Sequence, residues 1–222
     1  MKSHFEAFVK DQGDRPTCVA FAVGSLHEYW LDITRAGKAE ISIDLSEEFL
    51  YFMSKRKDGL VGASGTTVVA AKSALAADGH CLEVLYPYQK KSNSVKPPNT
   101  VAISDGRSRT LNHLTRLKTE IAVLEDHFLQ CLPVVGVIEL FRSVYRPGRA
   151  GELPLPNSGE KRIGKHAVLL VGSEASNHGN LFVFLNSWGR TWGDKGFGRI
   201  TAEYFAKHCM ELWSISQPKG DV

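Results

Sequence analysis

The stretch Leu181-Phe182-Val183-Phe184-Leu185-Asn186-Ser187-Trp188-Gly189 opens with five apolar residues in a row and then turns polar at Asn186. That is the pattern of a buried strand with an asparagine at its exit. Upstream lies a second such run, Lys165-His166-Ala167-Val168-Leu169-Leu170-Val171-Gly172, which begins on a histidine. The turn-forming cluster Ser173–Asn180 separates the two, so they are expected to pair as adjacent antiparallel strands. Such pairing sets the start of one strand against the end of the other and brings His166 to Asn186, twenty positions apart. The amide oxygen of Asn186 then accepts from one imidazole nitrogen and leaves the other to face a nucleophile.

Working outward, Val134–Leu140 and Phe197–Thr201 are further short runs rich in β-branched and apolar residues, bounded by Gly/Pro/Asn/Ser clusters such as Arg146–Gly164. The front half reads differently. Val19, Ala22, Val23, Leu26, Trp30 and Ile33 recur at three- and four-residue steps, which predicts a helix from Cys18 to about Ala36 with one buried face, closed by Gly37. Thr17 stands at its N-cap position. A second helix is expected over Leu45–Met53, opened by Ser46, and a third over Thr67–Ala77, ended by Asp78 and Gly79. Gln89–Arg109, with Pro97 and Pro98, reads as a surface excursion or connection, and a fourth helix is expected from about Thr110 to Cys131. Helices first and strands afterwards make an α+β chain, with two lobes and a cleft between them.

The front half also offers a nucleophile. In Lys10-Asp11-Gln12-Gly13-Asp14-Arg15-Pro16-Thr17-Cys18-Val19-Ala20-Phe21 a cysteine opens a long helix, where unsatisfied N–H groups favour a thiolate. Gln12 lies six positions upstream across a Gly/Pro-bearing loop, so its amide can join the Cys18 backbone N–H as an oxyanion hole. A structural thiol beside a surface glutamine fits this segment equally well until His166 and Asn186 are considered.

Composition bounds the alternatives. The 222 residues are 43% hydrophobic and 23% charged, enough for a core and too apolar for a disordered tail. A net charge of +3 with scattered basic residues does not mark a nucleic-acid binder, and the longest apolar runs are far short of the roughly 20 residues of a membrane helix. Cys18, Cys81, Cys131 and Cys209 are widely spaced, without a Cys-x-x-Cys pair, so neither a metal site nor a cofactor is expected. Cys81, Cys131 and Cys209 read as small buried hydrophobes. His4, His27, His80, His113, His127, His178 and His208 read as surface or satisfied core residues.

The order Gln12, Cys18, His166, Asn186, with Asn186-Ser187-Trp188-Gly189 and then Trp192-Gly193 and Gly196, resembles the papain family of cysteine peptidases. Gly65-Thr66, Gly79 and Tyr86-Pro87-Tyr88 are similar to the family's left lobe. The resemblance spans roughly Lys10 to Trp213. It implies one papain-like domain over residues 1–222, with a helical left lobe at about 10–110 and a mainly β right lobe at 111–222. It further implies Cys18 as nucleophile, His166 as general base and then acid, Asn186 as orienter of the imidazole, and Gln12 in the oxyanion hole. Gly65 and Thr66 would hold the substrate backbone, and Trp188 would cover the Asn–His contact. Lys165 would border the cleft, where its cation favours acidic substrate groups or stays solvated at the rim.

This chain departs from the family pattern at Arg15, where secreted members carry a disulfide cysteine, and at Val19, where they carry tryptophan. No apolar leader or inhibitory segment is read before Lys10. The expectation is therefore a protease made in the cytoplasm, acting on protein or peptide substrates, and controlled from outside. An effector or toxin delivered to another cell and held by a cognate inhibitor or immunity protein would fit. Two alternatives stay open: an amidase, transamidase or isopeptidase using the same thioester, and a catalytically silent peptide-binding module.

Overall fold

The computed structural model describes residues 1–35, 43–91, 96–176 and 179–216. In chain order they form α1 (Lys2–Phe5), α2 (Cys18–Thr34), α3 (Glu47–Lys55), α4 (Val68–Ala77), α5 (Thr100–Arg107), β1 (Leu114–Leu117), α6 (Ile121–Leu129), β2 (Val134–Phe141), β3 (Arg162–Ser176), β4 (Gly179–Leu185), β5 (Phe197–Thr201), α7 (Ala202–His208) and β6 (Cys209–Ile215). The chain is α+β. Its residues fall into two compact units, one of Met1–Asp11 with Arg116–Ser214, the other of Gln12–Thr115 with the segment that begins at Ile215.

In the unit that starts at Gln12, side-chain caps fix where the helices begin. Ser46 Oγ accepts from Phe49 N at 3.0 Å and Thr67 Oγ1 from Ala70 N at 3.1 Å, each relieving an orphan donor of the first turn. Helix α4 ends on Gly79, whose φ of +72° and whose missing Cβ, which would lie 1.9 Å from the Gly106 carbonyl oxygen, leave no room for another residue. Helix α2 is buried at every position from Val19 to Tyr29, not along one face as its periodicity suggests. Among the polar members of that run, Glu28 is paired: its Oε1 accepts from Leu45 N at 2.8 Å. The expected closure at Ala36 and Gly37 lies outside the described residues, as does His178.

The other unit is built on a six-stranded sheet in the order β1-β6-β2-β3-β4-β5. Strand β3 pairs antiparallel with β2 (Ile138 opposite His166) and with β4 (Leu169 opposite Leu185). A register shift between Leu170 and Gly172 bends β3 where it meets β4. Its apolar run is buried from His166 to Val171, while both ends protrude and are polar. Val168, Leu170, Phe182, Phe184, Ile200, Phe205 and Leu212 are all at most 1% exposed and form one core cluster, each worth about 1.5–3 kcal/mol in burial. Gly198 stands opposite Phe184, and a Cβ there would sit 2.2 Å from the ring.

Two segments and one cysteine differ from expectation. Gln89–Arg109 contains helix α5, capped by Asn99 Oδ1 on Ala102 N at 2.9 Å. Its buried face is only Ala102 and Gly106, residues too small to mark an apolar stripe. The helix expected from Thr110 to Cys131 is instead strand β1 followed by the shorter α6. Leu111, Leu114, Leu117, Ile121, Leu124 and Phe128 keep three- and four-residue steps across both, so the spacing imitates one continuous helix. Cys131 is exposed with φ +55°, closing α6, and is no buried hydrophobe. Cys81 is buried and Cys209 half-buried, and burial pushes both thiols up to about 12.

Candidate active site

Cys18 is the first residue of α2, half-buried, with Thr17 at the cap position. Thr17 makes no side-chain cap; its hydroxyl lies 2.7 Å from the Tyr88 hydroxyl instead. Tyr88 donates its own proton to the Gln12 carbonyl at 2.9 Å, so one phenol ties both ends of the loop from Gln12 to Thr17. Gln12 is 6% exposed, and its Nε2 donates to the Arg15 carbonyl at 2.5 Å. One amide proton is thereby held inside the loop, fixing the plane of the group that carries the other.

Arg15 anchors the same loop. Its guanidinium meets Glu48 at the start of α3 through two parallel bonds, Nη1 to Oε2 and Nη2 to Oε1, the second at 3.0 Å. The side chains are 5% and 2% exposed. Nη1 also donates to the Gln89 carbonyl at 2.9 Å, and Gln89 N donates to Glu48 Oε2 at 3.1 Å. The cation lies 4.8 Å from the Tyr88 ring centre and 5.5 Å from that of Tyr51. Burial is the largest single influence and lowers the Arg15 pKa, but the hydrogen bond and charge of Glu48, with Tyr88 and Tyr51, together outweigh it and raise the pKa, holding Arg15 charged. Sequence reasoning noted Arg15 only as a departure and missed Glu48. A buried arginine needs a carboxylate, and the paired acids opening α3 were the available signal.

The second group of site residues lies on the sheet. His166 Nε2 and Asn186 Oδ1 are 2.7 Å apart, and the two residues are 5% and 3% exposed. Asn186 Oδ1 also accepts from the Ser187 backbone N–H at 2.9 Å. A backbone N–H can only donate, so the amide orientation is fixed and Nε2 must carry the imidazole proton toward it. In neutral His166 the lone pair then resides on Nδ1. Trp188 lies over the imidazole with ring centres 4.8 Å apart, and it meets Trp192 edge-on at 5.4 Å. Gly189 N donates to the Lys10 carbonyl at 3.0 Å, and Asp11 bridges Trp188, which pins the turn carrying that ring.

Lys165 is exposed and precedes His166 on β3, so strand alternation points it to the face opposite the imidazole; across the ladder it faces Glu139. Gly65 and Thr66 are half-buried. A Cβ on Gly65 would lie 3.9 Å from the Pro16 carbonyl of the Gln12–Thr17 loop, and the Gly65 carbonyl accepts from Lys55 Nζ at 2.9 Å. No cluster of His, Cys, Asp or Glu suited to a metal ion occurs among the described residues, nor does a helix long and apolar enough to cross a membrane.

Comparison with known proteins agrees with this picture. A profile described as "Papain family cysteine protease" matches residues 3–215. "Peptidase 1" of Psoroptes ovis is 25% identical over 198 residues, covering 88% of this chain and 57% of the relative. "Procathepsin L" of Mus musculus is 27% identical over 219 residues, covering 95% and 61%. The chain thus spans less than two thirds of either relative's length. The crystal structure of xylellain, a cysteine protease from Xylella fastidiosa, superposes with a TM-score of 0.84 at 22% identity, over 95% of this chain and 83% of that one. At that identity the likeness carries the fold.

Proposed function

The chain belongs to the papain family of cysteine proteases, and from that membership we propose that it hydrolyses peptide bonds through a thioester on Cys18. The observation that carries the reading is the 2.7 Å pairing of His166 with an asparagine oxygen that a second donor has already oriented. It leaves Nδ1 as the basic nitrogen, available to take the proton of a thiol.

The steps follow from those assignments. Cys18 gives its thiol proton to His166 Nδ1 and its sulfur attacks the scissile carbonyl carbon, and the oxygen that gains charge is met by the Gln12 amide and the Cys18 N–H. As the C–N bond breaks, imidazolium His166 gives its proton to the departing amine, leaving a thioester. Water then attacks the thioester carbon while His166 removes its proton. The C–S bond breaks, the acid product leaves, and the sulfur regains its proton partner. Asn186 holds the ring in one plane through both transfers, and Trp188 shields the hydrogen bond from water.

The test is an epoxide or iodoacetamide probe on folded protein, with proteomic profiling of new N-termini for wild type against Cys18→Ala. Stoichiometric labelling of Cys18 and cleavages lost in the variant are expected. No labelling and an identical cleavage profile would sink the proposal. Ligation outpacing hydrolysis when an amine acceptor is supplied would move the assignment to a transamidase.

A narrower reading is proposed on Arg15. Where secreted members hold this loop by a disulfide, the present chain uses a buried ion pair, which a reducing compartment leaves intact. This supports a protease made and active in a cytoplasm, of effector or toxin type, restrained by a cognate inhibitor. Co-purification of a small inhibitory partner from the native host is the expected result; harmless free expression of the active protease would argue against it.

A further inference from the structure

The aromatic cover of His166 does not stop at Trp188. The ring of Tyr145 is stacked on Trp188 at 6.4 Å and 14°, and Tyr145 is itself 69% exposed. It forms one wall of a pocket of about 680 Å³ that is also lined by Arg142, Ser143, Arg146, Asn157 and Glu160. All six residues belong to the connection between β2 and β3, in the same unit as His166 and Trp188.

The charges in this pocket are unequal. Glu160 is the only carboxylate among the described residues that line it, and both of its oxygens are engaged in folding the connection: Oε1 accepts from Ser143 N at 2.8 Å and Oε2 from Asn157 N at 3.0 Å. Arg142 and Arg146 are exposed, and neither has an ion-pair partner among the described residues. Two guanidiniums beside a flat aromatic ring suit a carboxylate on a short aliphatic stem: forked donors for the acid and a ring face for the methylenes.

Position decides which part of a substrate reaches it. His166 protonates the departing amine, so the chain beyond the scissile bond leaves past the imidazole and the ring covering it. The path from His166 to Trp188 to Tyr145 takes two ring steps, of 4.8 and 6.4 Å. An extended peptide, advancing roughly 3.3 Å per residue, brings the backbone of its second or third residue after the cleaved bond most of the way along that path, and an acidic side chain spans the remainder.

We propose that this pocket is a specificity subsite for an aspartate or glutamate carried two or three residues to the C-terminal side of the cleaved bond, with Arg142 and Arg146 as its carboxylate-binding groups. The inference rests on the peptidase reading and narrows its substrate class.

Quenched peptides that differ only in Glu, Gln or Lys at those two positions test it, with kcat/KM measured for wild type, Arg142→Gln/Arg146→Gln and Arg142→Glu/Arg146→Glu. Wild type is expected to favour Glu over Gln by roughly five- to tenfold at low salt, less at high salt, as for partly exposed charge pairs. The ratio should fall to about one in the glutamine variant and invert toward Lys in the glutamate variant, an inversion that misfolded protein cannot give. A wild type that cleaves all three equally overturns the subsite while leaving the peptidase reading intact. A wild type that cleaves none of them, nor any peptide lacking residues beyond the scissile bond, overturns that reading and the subsite with it.

Discussion

The guanidinium of Arg15 and the carboxylate of Glu48 meet face to face in the interior, 5% and 2% exposed, three residues before the proposed nucleophile. Removing one partner strands a buried charge, so Arg15→Ala should cost about 3–5 kcal/mol in chemical denaturation. Replacing both partners by apolar residues of similar volume, Arg15→Met with Glu48→Leu, should restore most of that stability. Turnover is expected to part company with stability. Without the fork the loop from Gln12 to Thr17 loses its anchor, and kcat should stay at least tenfold low in the double variant, because small misplacements of a nucleophile are costly. Equal recovery of both quantities would reduce the pair to a stabilising contact.

Asn186 accepts from His166 and from Ser187 N at once. Asn186→Ala removes the acceptor that fixes the imidazole plane and tautomer, and kcat should fall by about 10²-fold with little change in KM. Asn186→Asp keeps the acceptor and adds a negative charge beside the ring, which favours imidazolium. The limb of the kcat/KM profile that reports the histidine is therefore expected to move to higher pH in this variant. An unmoved limb would detach Asn186 from the titrating base.

Gln12 separates a role in acyl transfer from a role in the thiol's own reactivity. Gln12→Ala should lower kcat by about 10²–10³-fold, the usual cost of one oxyanion donor. Alkylation of Cys18 by iodoacetamide develops no oxyanion, so its rate should change far less than kcat. A parallel fall in both would mean that the amide serves the loop, through its bond to the Arg15 carbonyl, more than the transition state.

The strands and the His–Asn pairing were legible because their signals are local: apolar runs punctuated by turn residues, with a polar residue at each relevant end. Phe197–Thr201 appears in the structure with the bounds read from the sequence. Helix α5 was not legible because its contact face is Ala102 and Gly106, where tight approach replaces bulk; a Cβ on Gly106 would sit 2.8 Å from the Phe49 ring. The strand β1 and helix α6 read as one helix because apolar residues kept helical spacing across a break that only pairing in the sheet imposes. In the site, Cys18, Gln12, His166 and Asn186 stand in readable segments. The acids opening α3 mark a candidate partner for Arg15, but Arg15 and Glu48 are 33 positions apart and no local pattern couples the two.

The buried pair His27 and His80 gives the fold a built-in acid sensitivity. Their Nδ1 atoms are 3.3 Å apart, and His80 Nε2 lies 3.0 Å from the Ser46 carbonyl oxygen. A carbonyl only accepts, so His80 carries its proton on Nε2 and offers Nδ1 as acceptor; His27 must then donate from Nδ1. That leaves His27 Nε2 buried without a hydrogen-bond partner among the described residues. Burial, reinforced by the positive charges of Arg109 and Arg35, lowers the His27 pKa to about 3. In the unfolded chain the same ring titrates near 6.5. Between those values the unfolded state binds a proton that the native state refuses, so stability rises with pH across the window and is lost on acidification below about 6.5. The loss from this one group has a limiting slope of about 1.4 kcal/mol per pH unit. Asp194, Glu139 and Asp58, whose hydrogen bonds and ion pairs hold them below their ordinary values, add to the decline only nearer pH 4. Urea unfolding of wild type and His27→Phe at pH 7, 6, 5 and 4.5 isolates the histidine. The difference in unfolding free energy between the two proteins should shift in favour of the variant as pH falls from 6.5. Parallel curves over that range would show that His27 does not carry the acid response.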